Sequence, residues 1–255
     1  MPRKRLFFDI ETSPNIGMFW SAGFKQRIDY ENIIKERAII CICYKWGGER
    51  EVSYLTWDKK QNDKKMLQEF IKVANEADEL IGHNGDKFDL AWIRTRCLFH
   101  NIPMFPDYVT IDTLKVSRAK FRFNSNRLNY IGKFLGVGQK IHTSYDLWKD
   151  IVLKNCTKSL DKMVKYCKQD VKLLEEVFER MSVHIKPKVH YGMAHGSSKH
   201  DCINCGSDDM RVIKTRFTAA GTEKKQYQCN TCNKYSTYTA TTANTCKTSN
   251  KKKKG

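Results

Sequence analysis

The sequence predicts an α/β protein in which a mixed β-sheet is flanked by helices and is followed by a small β-ribbon. Through residue 186, short runs rich in β-branched and aromatic residues alternate with segments of helical apolar periodicity, a pattern typical of α/β sheets. After Pro187 large aliphatic residues become rare, whereas Thr, Asn and Lys become common. We therefore expect a domain over residues 1–186, a module over 187–240, and a basic, disordered tail over 241–255.

Each predicted element has a local signal. Strands are expected where apolar, β-rich runs occur, at residues 5–10, 38–46, 51–56, 80–81 and 109–113. Gly47-Gly48, between the second and third runs, indicates a hairpin. Helices are expected where apolar residues recur at intervals of three and four, at residues 64–77, 90–100, 128–135 and 159–184. A hairpin followed by strands interleaved with helices predicts a sheet of mixed strand direction.

The charge balance points to a polyanionic partner. The chain has 46 Lys and Arg against 28 Asp and Glu, which gives a net charge of +18. A surplus of this size predicts a nucleic-acid partner. The overall composition, 40% hydrophobic and 29% charged, is that of a globular chain and excludes a collagen or a wholly disordered protein. No apolar run approaches the roughly 18 residues of a membrane span, so we expect no membrane partner.

Four of the ten cysteines predict a metal site. Cys202 and Cys205 form one Cys-x-x-Cys pair, Cys229 and Cys232 form a second, and residues 206–228 separate them. Four thiolates in this arrangement favour one structural Zn²⁺, which so small a module needs in order to fold. His195, His200 and Cys246 are alternative ligands. The other cysteines follow no pairing pattern, and the N-terminus does not resemble an export signal, so a reducing, cytoplasmic compartment is expected.

Three clusters of acidic residues carry the chemistry. Asp9 and Glu11 lie two apart at the end of an apolar strand, so their side chains share a face, and oxygen ligands of this kind suit Mg²⁺ or Mn²⁺. Asp89 follows a polar, glycine-containing loop, where α/β sheets place ligand sites; Asp86 could serve equally well on composition alone. Tyr166 and Asp170 lie four apart and share a helical face. Taken singly, each cluster is also compatible with a solvated strand end, a helix cap or a surface helix.

Together these clusters resemble a known family. Phe-Asp-Ile-Glu-Thr (8–12), Asn-x-x-x-Phe-Asp (84–89) and Tyr-x-x-x-Asp (166–170) are similar to the three exonuclease motifs of the DEDD superfamily, which has an RNase H-like fold. The tyrosine in the third motif resembles the DEDDy branch. Ile-Asp-Thr-Leu (111–114) and the segment 128–136 leading to Lys140 resemble stand-alone relatives of the family B DNA polymerase proofreading domain. The resemblance covers about residues 4–183.

The resemblance implies a metal-dependent 3′–5′ exonuclease that hydrolyses DNA by a two-metal-ion mechanism. Its catalytic residues would be Asp9, Glu11, Asp89, Tyr166 and Asp170. The four carboxylates would hold two Mg²⁺ or Mn²⁺ ions, with Asp9 bridging both, Glu11 and Asp170 on the ion nearest the attacking water, and Asp89 supporting the other. Tyr166 would align the water. Asp86 and Asp112 are assigned structural or supporting roles, because Asp89 is the residue that follows Phe88.

Basic residues near aromatic residues form two candidate nucleic-acid surfaces. Lysine and arginine bind backbone phosphates, and aromatic rings stack on bases. The Cys pairs of the ribbon resemble those of zinc ribbons in transposases and other DNA-handling proteins. The basic candidates in the ribbon are Arg211, Lys214, Arg216, Lys224, Lys225 and Lys234, and the aromatic residues near them are Phe217, Tyr227, Tyr235 and Tyr238. In the first domain they are Lys115, Arg118, Lys120, Arg122 and Arg127, beside Phe121 and Phe123. The alternative is that the ribbon aromatics form its core and the lysines only solubilise it.

Two other functions stay open at this point. One is a nucleic-acid-binding protein in which the ribbon does the essential work and nuclease activity is marginal. The other is an exoribonuclease that trims RNA 3′ ends, because the superfamily includes such enzymes. We expect DNA rather than RNA as the substrate. A nuclease joined to a ribbon, with no polymerase, suits a phage or another mobile element in a bacterial host.

Overall fold

The structure of this chain, a computed structural model, describes residues 3–21, 23, 28–141 and 143–239. The predicted tail over 241–255, and Cys246 within it, lie outside the described residues. The chain divides into two compact units, Lys4–Arg180 and a second unit made of Met1–Arg3 with Met181–Gly255. Within the described part of the chain, none of the helices combines the length and the hydropathy that a transmembrane span requires.

A mixed five-stranded sheet forms the centre of the first unit. Its described strands are β1 (Arg5–Thr12), β2 (Ile16–Gly17), β3 (Ile33–Lys35), β4 (Ile39–Trp46), β5 (Ser53–Thr56), β6 (Glu79–Gly82) and β7 (Thr110–Asp112). The sheet order is β5-β4-β1-β6-β7, while β2 and β3 pair only with each other. β1 runs antiparallel to β4 and parallel to β6, and β6 runs parallel to β7. The predicted mixed α/β sheet is confirmed.

Helices cover both faces of this sheet. They are α1 (Lys64–Asn75), α2 (Asp89–Phe99), α3 (Thr113–Lys120), α4 (Leu128–Leu135), α5 (Asp146–Lys154) and α6 (Thr157–Met181). One face of β1 packs against α1 and α2, in a core that contains Phe8, Phe70 and Ile93. The other face meets α6, where the rings of Phe7 and Phe178 lie 5.3 Å apart. Since alternate residues of a strand face opposite sides, Asp9 and Glu11 share the α6 side with Phe7.

In the described part of the first unit, four strands and α-helices lie where the sequence predicted none: β2, β3, α3 and α5. The two strands are only two and three residues long, too short to show an alternating pattern. α3 contains too few apolar positions for a periodic signal. α5 has apolar residues at positions 147, 148, 151 and 152, a helical spacing that does indicate a helix. α3 begins where Asp112 Oδ1 accepts a hydrogen bond from the backbone N–H of Leu114 at 3.0 Å, a capping contact that stabilises a short helix.

A buried ion network fastens α1 and α2 to β4. Asp63 is fully buried and accepts hydrogen bonds from the Ile39 N–H at 2.9 Å and from Nε and Nη2 of Arg96 at 2.8 Å each. His100 Nε2 lies 2.6 Å from the same carboxylate. Burial opposes the ionisation of Asp63, but these hydrogen bonds hold its pKa below its ordinary value. Such a network fixes the helices because a lone buried charge would be costly.

The second unit contains a three-stranded antiparallel sheet. Its strands are β8 (Met210–Phe217), β9 (Glu223–Cys229) and β10 (Tyr235–Thr239), in the order β10-β9-β8, and the short helix α7 (Tyr191–Ala194) precedes them. Four cysteines lie together beside this sheet. A small sheet with clustered cysteines matches the predicted ribbon module.

Candidate functional site

Three carboxylates converge between β1 and α6. Asp9 and Glu11 project from β1 toward α6, and Asp170 lies on α6 one helical turn after Tyr166. Each of the three offers an oxygen within 4.8 Å of the oxygens of the other two. Asp9 and Glu11 are half-buried, whereas Asp170 is 1% exposed. The fold thus brings the first and third acidic clusters together, although about 160 residues separate them in the chain.

Asp89 joins this group from the opposite layer. It is the first residue of α2 and is buried, and its Oδ1 accepts a hydrogen bond from the backbone N–H of Ile10 at 3.0 Å. Ile10 lies between Asp9 and Glu11, so the bond holds the start of α2 against the acidic end of β1. Burial raises the pKa of Asp89 to about 7, even though the Ile10 N–H favours the ionised form.

Burial and mutual repulsion make the strand carboxylates hard to ionise. The pKa values of Asp9 and Glu11 lie well above their ordinary values, chiefly because of burial. The neighbouring Cys167 and the other carboxylates raise them further. Like charges in such proximity are stable only if a cation or protons neutralise them. The site therefore favours binding of positive charge.

Lys140 supplies one positive charge from the loop after α4. Its Nζ donates hydrogen bonds to Asp170 Oδ2 and, at 3.4 Å, to the Tyr166 hydroxyl. Its backbone N–H is held by Asn129 Oδ1 at 2.9 Å. Burial works against the charge of Lys140, but Asp170 and Asp9 raise its pKa above the ordinary value. From the sequence, Lys140 is only the residue to which the segment 128–136 leads, because nothing local to residues 136–141 indicates that its side chain reaches an acidic site.

Tyr166 remains a neutral phenol beside Asp170 and Lys140. Burial raises its pKa above the ordinary value, and the neighbouring Asp170 raises it further. The hydroxyl can therefore donate a hydrogen bond while it accepts one from Lys140. Tyr166 and Asp170 lie on the same face of α6, as their four-residue spacing predicts.

The donor set fits a hard divalent cation. Asp9, Glu11 and Asp170 offer only oxygen atoms, which Mg²⁺ and Mn²⁺ prefer. Asp170 Oδ1 is buried and accepts no hydrogen bond from any described residue. A buried oxygen without a hydrogen bond, in a carboxylate that lies close to two others, is an arrangement that a bound cation would satisfy. Asp89 is close enough to affect the Asp9 pKa, so it can contribute to the same centre.

Asp86 and Asp112 have other partners. Asp86 Oδ2 accepts a hydrogen bond from Lys115 Nζ at 2.6 Å. Asp112 Oδ1 caps α3 and also accepts from the backbone N–H of Asn84 at 2.9 Å. Asn84 has a positive φ of 70°, so the Asp112 contact holds a strained turn of the loop that leads to Asp89.

A basic groove adjoins the carboxylates. A cavity of about 780 Å³ is lined by Arg118, Arg127 and Lys140 together with His83 and several asparagines, and no carboxylate is among its lining residues. The predicted patch is therefore divided, with Arg118 and Arg127 in the groove and Lys115 paired with Asp86. Arg122 donates to the backbone oxygen of Phe121, and Lys120 is exposed. The rings of Phe121 and Phe123 pack against each other with centroids 5.4 Å apart.

The four ribbon cysteines form two matching turns. Cys202 Sγ lies 3.5 Å from Cys232 Sγ, and Cys205 Sγ lies 3.6 Å from Cys229 Sγ. Gly206 and Asn233, each directly after a second cysteine, have positive φ angles of 75° and 58°. Each donates its backbone N–H to the carbonyl of the first cysteine of its pair, at 2.8 and 2.9 Å.

This arrangement suits a tetrahedral thiolate site. All four sulfur atoms lie within 4.8 Å of one another. Burial raises the pKa of Cys229, but backbone N–H groups of Cys232 and Thr231 lower it to about 7, so its thiolate is readily available. His195 Nδ1 is engaged with the carbonyl of Tyr191 at 3.0 Å.

The strand register divides the ribbon sheet into two faces. Residues paired across neighbouring strands share a face, so Cys229, Tyr227 and Ser236 lie on the side of the cysteines. The opposite side, called here the open face, carries Arg211, Lys214, Arg216, Lys224, Gln226, Gln228, Tyr235, Thr237 and Thr239 and no carboxylate.

Two of the predicted ribbon cations lie elsewhere. Lys225 lies on the cysteine side and pairs with Glu223 at 3.5 Å. Lys234 is 8% exposed and donates to the Ile185 carbonyl at 3.4 Å. Four of the six predicted ribbon cations thus share the open face.

Comparison with known proteins gives a family model that matches most of this chain. Residues 6–182 match the family model described as the RNase H superfamily. The chain is 33% identical over 104 residues to a DNA polymerase of Thermococcus hydrothermalis and 32% identical over 102 residues to a DNA polymerase of Thermococcus sp. (strain 9oN-7). These matches cover 37% and 36% of this chain, but only 5% and 11% of the polymerases.

A solved structure shows the same fold. The family B DNA polymerase from the hyperthermophilic archaeon Pyrobaculum calidifontis superposes with a TM-score of 0.56 at 16% identity. The superposition covers 71% of this chain and 25% of that polymerase. The resemblance expected from the three motifs is thereby confirmed for the superfamily fold and for the similarity to DNA polymerases.

Proposed function

Because this chain belongs to the RNase H superfamily, we propose that it is a metal-dependent 3′–5′ exonuclease that hydrolyses the phosphodiester bonds of DNA. One observation carries the proposal: Asp9, Glu11 and Asp170 converge from β1 and α6. Asp89 is bonded to the strand residue between Asp9 and Glu11, and Tyr166 shares the contact of Lys140 with Asp170. The raised pKa values of Asp9 and Glu11 show that their ionised forms are unfavourable without a cation, and such groups are typical of functional sites.

The four carboxylates would hold two Mg²⁺ or Mn²⁺ ions. Asp9 would contribute to holding both ions, Glu11 and Asp170 would hold one, and Asp89 would support the other. When bound, such ions activate the attacking water and neutralise charge on the leaving oxygen. The orphaned Asp170 Oδ1 and the raised pKa values of Asp9 and Glu11 support this arrangement, because both indicate a missing positive charge.

Tyr166 and Lys140 would act on the water and the phosphate. The neutral Tyr166 hydroxyl can orient a water molecule toward the scissile phosphorus, since the phenol keeps its proton at neutral pH. Lys140 carries a full positive charge within reach of Asp170. Its ammonium group can stabilise the negative charge that grows on the phosphate oxygens.

The basic groove is proposed to hold the substrate strand. Arg118, Arg127 and Lys140 line it, so a phosphodiester backbone would meet three cations and no carboxylate. Because Lys140 also contacts Asp170, the groove leads directly to the carboxylates. A strand held here would present its terminal phosphodiester to the site.

The ribbon is proposed to fold around one Zn²⁺ and to bind nucleic acid through its open face. Arg211, Lys214, Arg216 and Lys224 share that face, with Tyr235 exposed at its edge strand for stacking on a base. Gln228 Oε1 accepts from Arg211 Nη2 at 2.6 Å and thereby fixes the guanidinium group for phosphate contact. We also propose 1–186 and 187–240 as the domain boundaries.

The decisive experiment is hydrolysis of end-labelled nucleic acids. DNA and RNA labelled at the 3′ or the 5′ end are incubated with the full chain in Mg²⁺ or in EDTA, with Asp9→Ala as the control. Stepwise shortening of 5′-labelled DNA and immediate release of the 3′ label, in Mg²⁺ alone, is the expected result. Equal activity in EDTA, or in Asp9→Ala, would contradict the proposal, and faster hydrolysis of RNA would change the substrate class.

A further inference from the structure

Three buried cysteines lie directly behind the proposed catalytic carboxylates. Cys41 and Cys43 lie on β4, and Cys167 lies on α6 next to Tyr166. All three are fully buried. In the β1–β4 register, Cys41 is opposite Glu11 and Cys43 is opposite Asp9, so both thiols point to the α6 side of the sheet. Their sulfur atoms and that of Cys167 all lie within 4.8 Å of one another.

The three thiols make only weak hydrogen bonds. Cys167 Sγ lies 3.4 Å from the Asp9 carbonyl oxygen and 3.6 Å from Asp9 Oδ2. Cys43 Sγ donates to the Val164 carbonyl at 3.7 Å. A thiol is a poor hydrogen-bond donor, so these contacts contribute little stabilisation. Hydrogen bonding between the thiols and burial raise the pKa of Cys41, and burial raises that of Cys167, so the protons would leave only in exchange for a bound cation. The cluster therefore places three soft ligand atoms close together, with a carboxylate oxygen of Asp9 beside one of them, Cys167 Sγ.

We propose that Cys41, Cys43 and Cys167 form a site for a thiophilic divalent cation such as Zn²⁺ or Cd²⁺, with the Asp9 carboxylate as the fourth ligand. Three thiolates and one oxygen make a tetrahedral set that excludes Mg²⁺, because thiolates select soft cations. The ribbon gives an internal standard, because its four sulfur atoms meet the same 4.8 Å limit. Binding would release the thiol protons.

Occupancy of this site would draw Asp9 away from the catalytic ions. One carboxylate cannot keep its bridging position on two Mg²⁺ ions while it also binds an ion among the sulfur atoms. Micromolar Zn²⁺ or Cd²⁺ would therefore inhibit hydrolysis in excess Mg²⁺. This consequence rests on the proposed function, whereas metal binding by the cysteines does not.

Cobalt spectroscopy tests the binding without reference to activity. The full chain, with Zn²⁺ already in the ribbon, is titrated with Co²⁺ under reducing conditions. The expected result is one further equivalent of Co²⁺ with the visible absorption of a tetrahedral ion and a sulfur-to-cobalt charge-transfer band. Cys167→Ser should lose this uptake. Cys97→Ser, at a buried thiol on α2, is the matched control and should keep it.

Two results would overturn the proposal: no further cobalt uptake by the folded wild-type chain, or equal uptake by Cys167→Ser. Either would leave the thiols as small apolar groups that fill the core. If Cys167→Ser fails to fold, cadmium NMR on the wild-type chain decides the question. A second cadmium resonance, at the chemical shift expected for three sulfur ligands and one oxygen ligand, would support the site. A spectrum that contains only the resonance of the ribbon site would refute it. A chain that binds cobalt but hydrolyses nothing would refute only the proposed function.

Discussion

Asp89 Oδ1 accepts the backbone N–H of Ile10 at 3.0 Å, so the first residue of α2 is bonded to the strand residue between Asp9 and Glu11. The bond places the buried Asp89 carboxylate beside two half-buried carboxylates whose pKa values are already raised. Without bound cations the site is therefore a concentration of negative charge that destabilises the fold. The same feature gives the site its affinity for divalent ions.

The first prediction concerns Asp9. Asp9→Ala should lower the hydrolysis rate by about 10²-fold or more, because a shared metal ligand supplies several kcal/mol of transition-state stabilisation. Asp86→Ala is the matched control, since Asp86 pairs with Lys115 outside the carboxylate group, and its rate should stay within about threefold of wild type. Single-turnover hydrolysis of a labelled oligonucleotide measures both. An Asp9→Ala rate within about tenfold of wild type would contradict a two-metal site.

The second prediction concerns Tyr166. Tyr166→Phe keeps the ring and removes the hydroxyl that contacts Lys140 at 3.4 Å, so the melting temperature should barely change. The turnover number should fall on the order of 10²-fold, the effect of losing one positioning contact. If Tyr166→Phe were as active as wild type while Asp170→Asn was inactive, another group would have to orient the water.

The third prediction concerns Asp89 and pH. Its folded pKa of about 7 lies above its ordinary value of 3.8, so the folded state binds a proton more tightly than the unfolded state. Without metal, stability should fall as pH rises from about 4 to 7. Asp89→Asn keeps an acceptor for the Ile10 N–H and removes the charge, so it should raise the metal-free melting temperature at pH 7. A gain of about 1 kcal/mol corresponds to roughly 2–4 °C.

Two further observations check this account. The gain from Asp89→Asn should disappear near pH 3, where the carboxyl is protonated in both states, and should shrink when Mg²⁺ is added. Hydrolysis should fall as the medium is acidified below neutral pH, and more Mg²⁺ should move that decline to lower pH, because metal competes with protons for the carboxylates. A lower melting temperature for metal-free Asp89→Asn at pH 7 would argue against a repulsive site.

The fourth prediction concerns the open face of the ribbon. Arg211→Ala combined with Arg216→Ala should weaken DNA binding and should reduce the slope of log K against log salt by about one to two, because two phosphate contacts are lost. Lys225→Ala removes a cation that faces the cysteine side and pairs with Glu223. The slope of log K against log salt for this variant should therefore match that of the wild-type chain. Fluorescence anisotropy over a salt series measures the slopes. A change of slope for Lys225→Ala about half that of the double variant, in proportion to the charge removed, would mean that the ribbon acts only through its total charge.

The fifth prediction concerns zinc and truncation. The purified chain should retain one zinc through a mild chelation that removes Mg²⁺, because four thiolates bind zinc far more tightly than carboxylates bind Mg²⁺. A chain ending at Lys186 should stay folded and turn over a short, saturating oligonucleotide, since every proposed catalytic residue precedes it. Metal analysis, melting curves and kinetics check these points. Complete loss of turnover would mean that the ribbon shapes the active site.

The sequence by itself determined the local chemistry of this protein. Asp9 and Glu11 two apart on a strand, and Tyr166 and Asp170 four apart on a helix, share faces because strand and helix periodicities require it. The two Cys-x-x-Cys pairs likewise contain their own turns. Helical and strand patterns predicted the mixed sheet for the same reason, since apolar periodicity records which side of an element is buried.

Only the tertiary structure decided which side chains meet across elements. Lys140 reaches Asp170 because the loop after α4 folds over α6, and no pattern near residue 140 records that contact. The cluster of Cys41, Cys43 and Cys167 joins a strand to a helix more than 120 residues away. The separation of Lys225 and Lys234 from the other ribbon cations depends on strand register and packing. Composition counts charges, but the pairing of strands and the packing of helices determine where those charges point.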